Sequence, residues 1–570
     1  MTDTTTTVDR SADISQPLEN LGPDETLKVK SDYLRGTINE SLLNRITGSV
    51  TFEDNKLMKF HGIYQQDDRD IRDERRRQKL EPAYTFMIRV RLPGGVCTPE
   101  QWLRIDELAR QHGGNTIRLT TRQTFQFHWV VKEDVRPIIQ GLHDVLLDTI
   151  AACGDDARGV MATADPRDSA LHAEVAALSK TLSDHVIPKT HAYHEIWYGE
   201  ERVATSQEEE PFYGKQYLPR KFKIGFAVPP SNDIDIYTQD LGFIAVTGAD
   251  GSLEGFNVSI GGGMGRNDSD PETFARLADV VGFVPKDKLN IAADAVMGTQ
   301  RDFGNRKHRP RARFKYTVHD KGVDWVKGEI ERRMGFDFDP VRNFEFTSNG
   351  DLYGWRENDN GRFNYTVFIP SGRVSNFERQ RFMDGLRAIA QVHKGAFRLT
   401  PNQNLIIADI PPESRAQIET LLADHGLGDS ERLSAMRQSS IACVALPTCV
   451  LAMAEAERYM PDFATRIEEI LAANGLIDEP ITVRISGCPN GCSRPYVAEI
   501  ALTGRAPGKY NLWVGGGFHG ERLNTLYREN IGEAAILEIL GEMLGRYGRE
   551  REAGEHFGDF VHRAGYLASL

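Results

Sequence analysis

Two stretches of this chain carry the same order of apolar and polar positions. In each, an apolar run ends in a Pro-Gly turn, Leu92-Pro93-Gly94-Gly95 or Ile369-Pro370-Ser371-Gly372, and an amphipathic helical pattern follows. Then comes Ile117-Arg118-Leu119-Thr120-Thr121-Arg122-Gln123 in one copy and Phe397-Arg398-Leu399-Thr400-Pro401-Asn402-Gln403 in the other, each leading into a strand pattern such as Thr124 to Val131. Strand, helix and strand in short order predict a ferredoxin-like half-domain, present twice.

A second pair alternates with the first. Phe256-Asn257-Val258-Ser259-Ile260-Gly261-Gly262-Gly263 is echoed by Tyr510-Asn511-Leu512-Trp513-Val514-Gly515-Gly516-Gly517, each a strand closed by a glycine triplet. Upstream, Ala157 to Met161 aligns loosely with Ala442 to Leu446, and helices are expected after each, at Ser169 to Leu182 and Leu451 to Met460. The order A, B, A', B' predicts an α+β protein of duplicated architecture with pseudo-twofold symmetry. Its parts are paired ferredoxin-like half-domains at 26–147 and 344–425, an α/β domain at 148–343 and a second at 426–570. Residues 1–25, rich in Thr, Asp and Ser, read as a disordered tail.

At 570 residues the chain exceeds what one hydrophobic core supports. A net charge of -13 disfavours nucleic acid as a partner. The N-terminus lacks the basic start and apolar run of a signal peptide, and no apolar stretch is long enough to span a bilayer, so a cytoplasmic protein is expected. Neither glycine triplet continues as Gly-x-Gly-x-x-Gly, and no nicotinamide or flavin site is visible.

Four of the six cysteines crowd into the second α/β domain, where five residues separate Cys443 from Cys449 and three separate Cys488 from Cys492. Four thiolates suit a tetrahedral zinc ion or an iron-sulfur cluster, and the first pair is wider than structural zinc sites usually are. Pro489-Asn490-Gly491 forms a turn presenting Cys488 and Cys492 from one loop, with Gly487 and Gly491 admitting close backbone packing. Cys97 and Cys153 read as structural. Only the second α/β domain should hold a cluster.

Basic residues recur in the repeated units. Arg89 and Arg91 alternate along one strand, Arg118 and Arg122 bracket the Thr-Thr turn, and Lys221 and Lys223 share a strand face around Phe222. Spacing alone suits a solvated outer face as well as an anion site. The run Arg306 to Lys315 is the most basic in the chain, and reads as a solvated loop or as part of an anion cradle. Arg72 to Lys79 reads as a solvated helix face.

The Cys-x5-Cys and Gly-Cys-x3-Cys pairs resemble the signature of the siroheme-dependent sulfite and nitrite reductases. So do Tyr33 to Thr37, Phe60-His61-Gly62-Ile63-Tyr64-Gln65-Gln66-Asp67-Asp68-Arg69-Asp70, Leu218 to Lys223, and Glu552 to Phe560, and the likeness is strongest to the hemoprotein subunits of the bacterial NADPH-dependent sulfite reductases. The resemblance implies six-electron assimilatory reduction of sulfite to sulfide on a siroheme coupled to a 4Fe-4S cluster, with Cys443, Cys449, Cys488 and Cys492 as cluster ligands and Cys492 bridging to the siroheme iron. It implies Arg89, Arg158, Lys221 and Lys223 as the residues that hold and protonate the anion. Arg118, Arg122 and His128 match positions along the heme carboxylates, with Asn490 and Gln403 in matched loops nearby. For His128 a satisfied core histidine is an equal reading, and His61 stands in the same class. An NADPH-oxidising flavoprotein is the implied electron donor, ferredoxin the alternative. Nitrite reduction is the rival activity, and a non-catalytic iron-sulfur carrier the reading from another class.

Overall fold

The computed structural model describes residues 18–165, 167, 169–189, 196–198, 201–204 and 210–567. The first repeated unit begins its helix at Pro99–His112, where Thr98 and Gln101 form a reciprocal capping box with hydrogen bonds of 3.1 and 3.0 Å. That helix buries Trp102, Ile105, Leu108 and Ala109, and its counterpart Phe382–Val392 buries Phe382, Met383, Leu386 and Ile389. Both faces enter one core. The Trp102 ring lies 5.6 Å from Phe125 of its own unit and 5.0 Å from Phe397 of the other.

A strand exchange joins the two half-domains. One sheet consists of Ile63–Asp67, Tyr84–Arg89, Phe125–Val130 and Ile117–Leu119, completed by Arg373–Val374 from the second unit. The other consists of Gly354–Glu357, Phe363–Val367, Leu405–Ile410 and Ala396–Leu399, completed by Val96–Cys97 from the first. Each Pro-Gly turn thus sends the chain across the pseudo-twofold axis, and each unit covers an edge that its partner would otherwise leave unpaired. Cys97 is buried in the exchanged strand, where burial pushes its thiol well up.

The two α/β sheets have identical topology: two parallel pairings followed by two antiparallel ones. Met161–Ala162, Ile224–Ala227, Leu241–Thr247, Leu253–Ile260 and Asp279–Pro285 make the first. Ser440–Ala442, Val483–Ser486, Ile500–Ala506, Lys509–Val514 and Thr525–Ile531 make the second. Leu241 pairs with Ile224 as Ile500 pairs with Val483, so Met161, opposite Gly225, is equivalent to Ile441, opposite Arg484. This register replaces the alignment of Met161 with Leu446. In strands this short, a shift along the sequence leaves an equally apolar match, and only the hydrogen-bonded partner fixes it. The triplets superpose as expected: a Cβ on Gly262 would lie 2.2 Å from the Tyr237 carbonyl, and one on Gly516 would lie 2.3 Å from that of Ala498.

Three further expectations change. The helix expected at Leu451 to Met460 is instead an irregular loop, and the helix runs over Met460–Ala473. The Met453 and Ala454 amides both donate to the Gly487 carbonyl, at 2.7 and 3.1 Å, rather than to a preceding turn. The tail assigned to 1–25 ends earlier, since Pro23–Lys30 is a helix whose Glu25 is buried between Lys28 and Arg306, each at 2.6 Å. Its polar composition hid this because the partner, Arg306, lies far along the chain; residues 1–17 lie outside the described ones. Lys221 and Lys223 precede the strand Ile224–Ala227 instead of lying within it, although the buried Phe222 between them bridges Ala157. Arg72–Arg77 is a helix with no buried residue. Among the described residues, no helix is long and apolar enough to cross a membrane.

Candidate active site

Four loops meet near the pseudo-twofold axis: the two Thr turns, the cysteine loop at 488–494 and the first glycine triplet. Arg494 ties three of them, donating to the Thr121 carbonyl at 2.9 Å and to that of Pro401 at 3.1 Å from within the cysteine loop. The Thr121 hydroxyl donates to the Cys492 carbonyl at 3.0 Å, and the Arg266 amide to that of Pro489 at 3.2 Å.

The four thiols converge from separate turns. Cys443 follows the edge strand and accepts a hydrogen bond from the Gly487 amide at 3.2 Å. A Cβ on Gly487 would lie 2.5 Å from that of Ala445, so only glycine lets the two cysteine loops approach. The Asn490 amide donates to Cys488 at 3.6 Å. Burial, then the charge of the other thiols, pushes Cys443 well up and Cys488 up to about 12, and Cys449 rises for the same causes. Four thiols that raise one another are within electrostatic reach, and thiolates so placed need a compensating cation. Among the described residues, no three Cys, His, Asp or Glu side chains gather closely enough for a single metal ion.

Beside Cys488 opens a cavity of about 590 Å³, with Arg220, Lys221, Arg309, Arg313 and Asn490 in its wall. Burial first, and then Arg313, Lys223, Arg220 and Arg158, push Lys221 far below the usual lysine range. Lys223 is pushed down likewise, by burial and then by Arg122 and Arg313, with Asp240 and Cys492 opposing. The Arg158 guanidinium is buried, donates to the Gly154 carbonyl at 3.2 Å and lies 4.0 Å from Asp156. Arg89 donates to the sulfur of the buried Cys153 at 2.7 Å. Arg122 donates to Gln239 at 3.0 Å and the Gly159 carbonyl at 2.6 Å, and feels the charges of Arg158, Arg89 and Arg494. Cations outnumber carboxylates here, an arrangement that calls for an anion.

The remaining candidates divide. Arg118 is bonded to Glu457 and to the Ala442 carbonyl at 2.8 Å, which fixes the strand entering Cys443. His128 is buried, with Nδ1 3.4 Å from the Thr448 hydroxyl and Nε2 without a partner; burial and then Arg373, Arg118 and Arg89 hold it neutral. Gln403 is buried with its Oε1 unpartnered, whereas its pseudo-symmetric mate Gln123 accepts from the Ala162 amide at 2.9 Å and donates to the Leu399 carbonyl at 3.0 Å. The unpartnered His128 Nε2, which can donate, beside a cation-rich cavity and four thiols, fits a polyanionic group next to a cluster. His61 is not among the candidate cofactor contacts: it is buried, with Nε2 3.0 Å from the Leu34 carbonyl.

Sequence reasoning undervalued the basic run. Arg313 bonds Asp240 at 3.2 Å beside the cavity, Lys315 donates to the Gly265 carbonyl at 2.6 Å and Arg309 pairs with Asp155 at 2.8 Å, whereas Arg306 and Arg311 pair away from it with Glu25 and Asp320. The alternation of basic residues from 309 to 315 was the available signal. Arg494 carried none, because its partners come from three other parts of the chain.

Comparison with known proteins agrees with this geometry. The nitrite/sulfite reductase ferredoxin-like half domain matches residues 77–145 and again 356–425, and the nitrite and sulphite reductase 4Fe-4S domain matches 177–338. The latter is the copy without the four cysteines, as a duplication makes intelligible. The chain is 64% identical over 571 aligned residues to the sulfite reductase (NADPH) hemoprotein beta-component of Methylocella silvestris, covering all of this chain and 99% of that one. Identity to the protein of the same name is 63% in Nitrosomonas europaea, with 100% and 99% covered, and 55% in Bacillus velezensis, with 95% of each covered. The structure of the Mycobacterium tuberculosis NirA protein aligns with a TM-score of 0.79 at 23% identity, over 98% of this chain and 99% of that one, which establishes the fold.

Proposed function

The chain belongs to the nitrite and sulfite reductase family, and we propose that Arg89, Arg158, Lys221 and Lys223 are the residues with which it binds and protonates its substrate. It is a sulfite reductase hemoprotein that uses siroheme and a 4Fe-4S cluster to reduce sulfite to sulfide. The bound cofactors supply the electrons and an iron to which sulfur can bind. Cys443, Cys449, Cys488 and Cys492 would hold the cluster, with Cys488 in the wall of the cationic cavity. His128, Gln403, Asn490 and Arg122 would meet the siroheme periphery.

The observation that carries the reading is the crowding of Lys221 and Lys223 among arginines beside the cysteine loop. Arginine stays protonated and clamps oxyanion charge; a lysine made more acidic by burial and like charge gives up its proton more readily than a free one. Arg89 and Arg158 therefore orient the anion and stabilise charge gathering on oxygen as each S–O bond weakens, while the lysines deliver protons that leave as water. Six electrons and six protons convert hydrogen sulfite to hydrogen sulfide ion and three waters. The electrons come from another protein, for which an NADPH-oxidising flavoprotein is the first choice.

The test is turnover of the purified protein with a reduced artificial one-electron donor, comparing kcat/KM for sulfite and nitrite. Full reduction of sulfite to sulfide with preference for sulfite is expected. Strong preference for nitrite with no sulfide would overturn the substrate. Sulfite-dependent NADPH oxidation on adding the flavoprotein, and no sulfide formed from reduced ferredoxin, identifies the donor.

A further inference from the structure

The segment Phe60 to Asp70, singled out in the sequence, is not accounted for by the substrate residues. Its last two residues leave their own sheet and reach the loop between Cys443 and the helix at Met460. Residues 443–459 contain no helix or strand, so their backbone groups depend on outside partners. Arg69 supplies three of those contacts. Its amide donates to the Pro447 carbonyl at 3.2 Å, and one guanidinium nitrogen donates to the carbonyls of Cys449 at 3.1 Å and Ala452 at 2.5 Å. Asp70 beside it accepts from Arg458 at 2.6 Å, pinning the far end of the same loop.

The guanidinium, bonded to the Cys449 carbonyl at 3.1 Å, also places a positive charge beside that residue. Reducing a thiolate-bound cluster adds negative charge, which a neighbouring cation stabilises, so charge and hydrogen bonding near a ligand raise the potential.

We infer that Arg69 is a positioning residue of the cluster: it clamps the Cys449 turn through two carbonyls and its charge raises the cluster's reduction potential. This rests on the four-cysteine cluster reading.

The experiment uses the full holoprotein and two variants. Arg69→Lys keeps the charge but not the guanidinium nitrogen that holds the two carbonyls; Arg69→Met loses both charge and donor. Cluster potential is read by EPR-monitored redox titration, and clamping by the rate of iron release to a chelator. Both variants should release iron faster than wild type; the Met variant should show a more negative midpoint, with the Lys variant near wild type. Release rates and midpoints equal to wild type in both variants overturn the inference. Where Arg69→Met cannot be purified, Arg69→Lys decides: wild-type iron release overturns it, and faster release at an unchanged midpoint supports it. A wild-type protein without a cluster signal would refute the cluster reading itself, before either variant is compared.

Discussion

Asp235 and Arg494 occupy equivalent places in the two α/β domains and are bonded to each other. Each is a left-handed residue, with φ of 47° and 53°, immediately before a short 3-10 turn, Ile236–Thr238 in one copy and Pro495–Val497 in the other. The Asp235 carboxylate accepts from Arg494 and from Arg484, the latter at 2.5 Å, and all three side chains are buried. The pseudo-twofold axis thus runs through an ion pair between equivalent positions, which equality of the two residues would forbid. Divergence of the copies made the interface complementary.

Replacing Asp235 with Asn leaves two buried guanidinium groups without compensation. Breaking a buried pair in this way costs about 3 to 5 kcal/mol. Urea unfolding of Asp235→Asn should show a lower midpoint at unchanged slope. Because Arg494 also holds the Thr121 and Pro401 turns, siroheme content should fall with it. A midpoint equal to wild type would mean that the trio contributes no net stability.

Serine in place of any one of Cys443, Cys449, Cys488 or Cys492 removes a thiolate from a converging set of four. Iron and acid-labile sulfide per chain should drop in all four variants. In Cys492→Ser the siroheme absorption should also change, since the family resemblance implies that this cysteine would couple the two groups. Full iron content in any variant would strike that cysteine from the ligand set.

Methionine at Lys221 or Lys223 keeps a long apolar stem and removes the acidic proton. Sulfite turnover should fall by about 100-fold or more, the scale of general acid catalysis, with siroheme absorbance unchanged. Unaltered kcat with intact cofactor would remove the lysines from the proton path and leave the arginines as the anion site.

His61 gives a pH signature that is separate from the cofactors. Burial lowers it to about 4, so it is neutral in the fold at pH values where the unfolded chain, titrating near 6.5, is protonated. The unfolded state then binds more protons, and stability is complete above about pH 6.5 and lost as pH falls toward the folded value. Between these limits wild type should lose about 1.4 kcal/mol per pH unit more than His61→Gln. Parallel pH profiles for the two proteins, measured by urea unfolding, would show that His61 does not titrate in this window.

The sequence by itself determined the duplication, the ferredoxin-like units, the cysteine set and the presence of a cationic group. Each is written in local pattern: a Pro-Gly turn before a helix, a glycine triplet after a strand, two short cysteine spacings. Periodicity and turn chemistry act over a few residues, so they survive in the primary structure. The tertiary structure alone decided the exchange of Val96–Cys97 and Arg373–Val374 between sheets, the register that matches Met161 to Ile441, and the irregular path of 443–459. It also decided which members of the basic run face the cavity, sending Arg313 to Asp240 and Arg311 to Asp320 although both look alike in sequence. Those outcomes depend on partners from nine to hundreds of residues away, and a hydrogen bond or ion pair across that distance leaves no periodic trace along the chain.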